Sequence, residues 1–149
     1  MIVCEICIAL AKNDGLNFYE TKYWSMRLGY NQAYLGRALV MLKRHDGTVS
    51  NLKEEEWLEL KTIMNRYESR LTELWGANSF NWTCLMNDAY KNYPANPHVH
   101  WHVWPRYEDE VIVDGQTFSD PNFGHHYDKN ASSNIDGYKL KKITSLIRQ

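Results

Sequence analysis

From Pro97 to Arg106 the chain alternates strictly, with Val99, Trp101 and Val103 on one side and His98, His100 and His102 on the other. That is the period of a β-strand with one apolar and one polar face. Lys22 to Leu28 alternates in the same way, setting Tyr23, Ser25 and Arg27 against Trp24, Met26 and Leu28, and predicts a strand buried on one face. Gly36 to His45 is nearly continuous in apolar residues, as expected of a central strand. Phe80 to Met86 places Phe80, Trp82, Cys84 and Met86 opposite Asn81 and Thr83, a further strand. The period then changes. Leu52, Trp57, Leu60, Ile63, Met64, Tyr67, Leu71 and Leu74 recur at helical spacing, between a capping box at Asn51 and Glu54 and a closing Gly76. This stripe is core and carries no chemistry. Leu140, Ile143, Leu146 and Ile147 predict a short helix over Tyr138 to Arg148, whereas 108–134 is rich in Gly, Asp, Asn and aromatics and reads as loop, with His125 and His126 exposed. The pattern as a whole predicts an α+β fold: a mainly antiparallel sheet of about five strands, one long helix and a short C-terminal helix.

Composition narrows the class without naming the chemistry. A chain of 149 residues, 44% hydrophobic and 13% aromatic, suits one globular domain over residues 1–149, with 108–149 as a C-terminal extension. A net charge of −1 gives no field favouring nucleic acid or an anionic membrane, so an anionic ligand must be held by local groups. No apolar run reaches the length of a membrane span, and Met1 to Glu5 lacks the basic region of a signal peptide. A cytoplasmic location is expected. Three cysteines, Cys4, Cys7 and Cys84, cannot form a disulfide framework and suit a reducing compartment.

Three imidazoles on one face of a strand are the strongest chemical signal. Neighbours two residues apart are separated by roughly 6.6 Å, so the outer pair are about 13 Å apart. Imidazole binds a metal at about 2 Å, and one ion therefore cannot use all three rings of a straight strand. The run is internal and interleaved with apolar residues, which excludes an affinity tag. A polar strand face that merely happens to carry histidine is the alternative, but buried neutral imidazoles each need a partner. Cys4-Glu5-Ile6-Cys7 has the two-residue spacing that turns both thiolates onto one tetrahedral zinc. Two small buried residues without chemistry would also fit, and too few residues precede Cys4 for the strand of a thioredoxin-like redox motif.

The run His98-Val99-His100-Trp101-His102-Val103-Trp104, followed by Pro105-Arg106, resembles the signature of the histidine triad superfamily of nucleotide hydrolases and transferases, and within it the diadenosine tetraphosphate hydrolase-like group. The resemblance covers about residues 1–107. It implies a nucleotide or dinucleoside polyphosphate substrate and a homodimer. Zinc-containing relatives pair a Cys-x-x-Cys with a later His and the first His of the triad, which implies a structural zinc on Cys4, Cys7, His45 and His98. The remaining two rings would do the catalysis, His100 as nucleophile and His102 as donor to a non-bridging oxygen or the leaving group. Asn87 occupies a position where family members carry a Gln or Asn that touches phosphate. Arg37 departs from the pattern, standing where a His commonly follows the Gly, and with Arg106 it is a candidate for holding the polyphosphate. Hydrolysis of phosphoramidates, phosphorolysis and nucleotidyl transfer share the first half-reaction and stay open. A non-catalytic nucleotide- or zinc-binding module is the alternative from another class, and a metal hydrolase using several triad histidines is a third.

Overall fold

The computed structural model describes residues 4–91, 93–133 and 135–149. The elements run α1 (Glu5–Ala11), β1 (Asn17–Glu20), β2 (Trp24–Leu28), β3 (Ala38–Leu42), α2 (Glu54–Trp75), β4 (Ser79–Thr83), β5 (His100–Arg106), β6 (Val111–Val113), β7 (Gln116–Phe118) and α3 (Gly137–Arg148). The first five strands form one antiparallel sheet in the order β1-β2-β3-β5-β4, and β6 and β7 pair as a separate hairpin. The α+β expectation holds, with β3 in the centre of the sheet.

Register divides the sheet into two faces. Met26 lies opposite Val40, Val40 opposite Trp101, and Val103 opposite Ala38 and Trp82, so the apolar side chains share one side. Leu60, Ile63, Tyr67 and Leu71 of α2 are buried against them in one cluster. The other face carries Ser25 and Arg27 of β2, Leu39 and Met41 of β3, His100 and His102 of β5, and Thr83 of β4. Leu140, Ile143 and Ile147 of α3 join the apolar cluster, as do Val111, Val113 and Phe118 of the hairpin.

Four details differ from the sequence expectations. The long helix starts at Glu54 rather than at a cap on Asn51; the Lys53 N–H donates to Glu56 at 2.8 Å, and Asn51 closes a 3-10 turn over Val49–Asn51. Glu56 is fixed there because Arg44 grips it through Nε and Nη2, at 2.6 and 2.8 Å. Trp57 leaves the buried stripe, 41% exposed, and meets Trp101 edge to face. The central strand stops at Leu42, which leaves His45 in the loop beyond it. Residues 111–118, expected as loop, form the hairpin, whose turn puts Asp114 and Gly115 at φ 49° and 73°, the geometry an Asp-Gly pair favours. Among the described residues no helix is long and apolar enough to cross a membrane.

Gly36 opens the way into β3 at φ +81°, and the Tyr67 hydroxyl donates to its carbonyl. A Cβ there would lie 2.7 Å from Leu71 Cδ1 in the closed core. Gly36→Ala is therefore expected to lose about 2–4 kcal/mol of stability, combining left-handed strain with overpacking. A lower urea midpoint at unchanged slope would register it; an unchanged midpoint would refute it.

Candidate functional site

Cys4 caps α1, and its Sγ accepts the Cys7 backbone N–H at 3.4 Å. The first turn of the helix therefore presents both thiols together. The loop after β3 is laced to the approach to β5: Leu42 N–H donates to Val99 C=O at 3.2 Å and Val99 N–H to Asp46 C=O at 2.7 Å. Gly47 allows the close approach to Pro97, since a Cβ on it would stand 2.7 Å from Pro97 Cγ. These contacts bring His45 beside His98, with ring centroids 4.7 Å apart.

His98 is buried, and its Nε2 lies 2.7 Å from the Leu42 carbonyl. A carbonyl only accepts, so Nε2 carries the proton and the Nδ1 lone pair faces the thiols. Nδ1 is 3.2 Å from Cys4 Sγ and 3.4 Å from Cys7 Sγ, and His45 Nδ1 is 3.5 Å from Cys7 Sγ. One donor atom from each of the four residues lies within 4.8 Å of every other. A tetrahedral ion with bonds of about 2.0–2.3 Å sets its donors roughly 3.3–3.8 Å apart. The donor set and the His98 tautomer fit zinc, and four protein ligands leave no position for water. No residue of α1 is buried, so this cluster is what ties the helix to the sheet.

Two residues on, His100 Nδ1 is 2.7 Å from the His98 carbonyl. The same reasoning puts the proton on Nδ1 and leaves Nε2 as a free lone pair. His102 follows, its ring 4.9 Å from that of His100. The three triad rings line a cavity of about 250 Å³ with Leu39, Met86 and Asp88 among its walls. Burial is the main cause pushing the His100 imidazolium below its usual range. His102 is pushed down to about 4, first by burial and then by the charges of His100 and Arg37. Both rings are neutral at neutral pH. A second cleft, of about 260 Å³ between α2, α3 and β1, contains neither histidine nor thiol.

The three phosphate-binding candidates are placed very differently. Arg37 is half-buried on the triad face, its guanidinium 3.7 Å from the centre of the Trp104 ring and close enough to His102 to depress it. Asn87 is exposed at the start of a 3-10 turn, Asn87–Tyr90, whose next residues, Asp88 and Ala89, line the cavity. Arg106 is turned to another use. Its Nε and Nη2 bind Asp120 at 2.5 and 3.1 Å, Nη1 binds Asn81 and the His125 carbonyl, and Nη2 also binds the Asn122 carbonyl. All five N–H groups are thus committed to protein oxygens, and Arg106 clasps the segment after the hairpin instead of facing a polyphosphate. His125 and His126 are exposed on that segment, as expected.

Sequence reasoning missed three participants. Asp120 is the buried partner of Arg106, both under 5% exposed in their side chains. Tyr127 stacks on Trp104 at 4.3 Å and 12°, covering the end of the triad face. Thr83 sits directly across from His102. Of these, only Thr83 had a signal, as the polar member of an alternating strand that pairs with the triad strand.

The model of the HIT domain matches residues 11–109. No curated protein matches the sequence. Among solved structures, a hypothetical histidine triad nucleotide-binding protein of Sulfolobus tokodaii is 17% identical with a TM-score of 0.67, over 97% of this chain and 89% of that one. A zinc-bound histidine triad family protein of Mycobacterium smegmatis is 18% identical with a TM-score of 0.59, over 96% and 88%. The diadenosine triphosphate hydrolase of Plasmodium falciparum, in complex with cyclomarin A, is 14% identical with a TM-score of 0.61, over 92% and 76%. At these identities the likeness is one of fold.

Proposed function

Since the chain belongs to the HIT domain family, we propose that it is a nucleotide hydrolase of the diadenosine tetraphosphate hydrolase-like group, cleaving dinucleoside polyphosphates through a nucleotidyl-histidine intermediate on His100. The observation that carries this reading is the anchored tautomer of His100, with Nδ1 on the His98 carbonyl and Nε2 free beside His102.

The chemistry divides into two displacements at the same α-phosphorus. Nε2 of His100 attacks, the bridging P–O bond breaks, and its electron pair leaves on the oxygen of the departing nucleoside polyphosphate. Water then attacks the phosphorus, the P–N bond breaks, its pair returns to Nε2, and the water's proton passes to solvent. Two easier steps replace one difficult attack. His102 stabilises charge on the phosphoryl oxygens through its N–H, and the anionic substrate raises its tendency to take up a proton. Arg37 and Asn87 are proposed as substrate contacts. Zinc on Cys4, Cys7, His45 and His98 would act structurally, fixing α1 and the first residue of the triad; the zinc-bound neighbour of like fold supports this. Residues 108–149 are proposed as an extension of the single domain, and the assembly as a homodimer in the cytoplasm, without nucleic acid or membrane as partner.

Incubation with diadenosine tetraphosphate labelled at the α-phosphate tests the reading. Turnover together with acid-labile label on the protein supports it. Binding without turnover or label would favour the non-catalytic module instead, and turnover without label would favour direct attack by water.

A pH profile tests the state of the rings. Because the folded environment lowers the His100 pKa from 6.5, the ring stays a nucleophile to more acidic pH than a free imidazole. The acid limb of kcat/KM, which reports the free enzyme, is expected to have its midpoint below pH 6.5. A limb centred above 7 would contradict this.

A further inference from the structure

Three polar groups near His102 on the triad face have no hydrogen-bond or ion-pair partner among the described residues. The Arg37 guanidinium makes no hydrogen bond or ion pair among the described residues, though it is half-buried; it rests only on the Trp104 ring. Thr83 is the cross-strand partner of His102, and its Oγ1 is enclosed without a hydrogen bond. Trp104, two residues beyond His102, has an enclosed Nε1 with none either. Leu39 also pairs with His102, so Arg37 reaches the triad face one pleat further along, beside Trp104.

The chemistry of these groups is one-sided. A guanidinium and an indole N–H only donate, and a hydroxyl can donate. Thr83 Oγ1 and Trp104 Nε1 are enclosed, so of the three only the half-buried Arg37 guanidinium can meet a ligand, and the group that satisfies it is an anion. Other arginines of this face are already neutralised, Arg27 by Asp14 at 2.5 Å and Arg106 by Asp120 at 2.5 Å. The nearby carboxylate of Asp88 is paired with Lys91. Arg37 alone is left with its charge available, and an unpaired, partly desolvated charge is costly unless something binds it.

We propose that Arg37, braced on the Trp104 ring, forms a subsite for an anionic leaving group, which makes the site selective for phosphate-bearing leaving groups over neutral amines. This inference rests on His100 as the nucleophile. In-line displacement puts the leaving group on the side of phosphorus opposite the attacking ring, and His102 and then Arg37 follow His100 along the sheet. When a dinucleoside polyphosphate reacts, the electron pair of the breaking P–O bond adds negative charge to a leaving nucleoside polyphosphate, and Arg37 meets that charge. When a nucleoside phosphoramidate reacts, the breaking P–N bond leaves its pair on nitrogen, which takes a proton from solvent and departs as a neutral amine. Arg37 has nothing to neutralise in that case.

The experiment measures kcat/KM for diadenosine tetraphosphate and for adenosine 5′-phosphoramidate in wild type, Arg37→Met, Arg37→Lys and Thr83→Val. Methionine keeps an unbranched stem against Trp104, and thermal melting checks each variant for folding. Arg37→Met is expected to reduce the ratio of the two kcat/KM values by about 10- to 100-fold, as for loss of a charge-assisted contact. Arg37→Lys should recover part of the ratio, whereas Thr83→Val, which alters only an enclosed hydroxyl, should leave it unchanged. Equal losses on both substrates, or no loss on either, would overturn the subsite while leaving the nucleophile intact. A wild-type protein that processes neither substrate and traps no label would overturn the reading of His100, and this inference with it.

Discussion

His100→Asn is expected to abolish turnover of dinucleoside polyphosphates, lowering kcat by at least about 10⁴-fold, the scale seen when a covalent nucleophile is removed. That corresponds to roughly 5–6 kcal/mol of transition-state stabilisation. Asparagine suits the test because its amide N–H can still donate to the His98 carbonyl that His100 now occupies at 2.7 Å. The strand and its neighbours therefore keep their places, and the melting temperature should stay within about 2 °C, less than 1 kcal/mol for a domain of this size. Nucleotide binding should survive, while acid-labile label disappears. A variant that retains wild-type turnover would remove His100 from the chemistry and favour metal-assisted hydrolysis.

Removing the zinc proposed on Cys4, Cys7, His45 and His98 is expected to cost stability before chemistry. Structural zinc contributes about 10–16 kcal/mol of apparent binding energy in small zinc-finger peptides. Here a smaller share is coupled to the main core, because α1 buries no residue and is joined to the sheet through Cys4 and Cys7. Chelation, or Cys7→Ser, should lower the melting temperature by about 10 °C, corresponding to roughly 3 kcal/mol. It should also open the segment before β1 to proteases. Activity should fall about 10-fold, as for lost support around a site, since His98 anchors His100 through its carbonyl. Loss of all activity at an unchanged melting temperature would instead make the metal catalytic.

The parts of the molecule readable from sequence are those where one residue type repeats at one period. The triad strand and α2 announce themselves because burial on a single face imposes a period of 2 or 3.6, and the central strand because burial on both faces leaves a nearly continuous apolar run. The pairing of Cys4 and Cys7 with His98 followed from donor chemistry and from resemblance, and the four donor atoms do lie together. Short elements carried too few residues to show a period: α1 has seven and β1 four. The hairpin over 111–118 was legible after all, since Asp114-Gly115 between apolar alternation is a strong turn signal; the surrounding polar residues obscured it. Arg106 shows a different limit. Its residue type fits a phosphate as well as a carboxylate, and only the fold brings Asp120 to it. The same limit applies to the helix cap, where the choice between Glu54 and Glu56 was made by Arg44, a residue ten positions upstream of the helix start.

The alternation of β5 also bears on how this chain can change in length. On one face of the nine residues from His98 to Arg106, His98 meets the thiols, His100 and His102 line the cavity, Trp104 carries Arg37 and Tyr127, and Arg106 clasps the following segment. Every one of these tasks depends on counting by two. Inserting or deleting a single residue between His98 and Arg106 would turn the side chains beyond that point to the opposite face, placing histidine among the core residues and valine in the cavity. Substitution can therefore retune this strand one position at a time, whereas drift in its length is closed to it. The turn at Asp114 and Gly115, with nothing within 4 Å of a Cβ on that glycine, has no such constraint, and additions to the chain should be accepted there first.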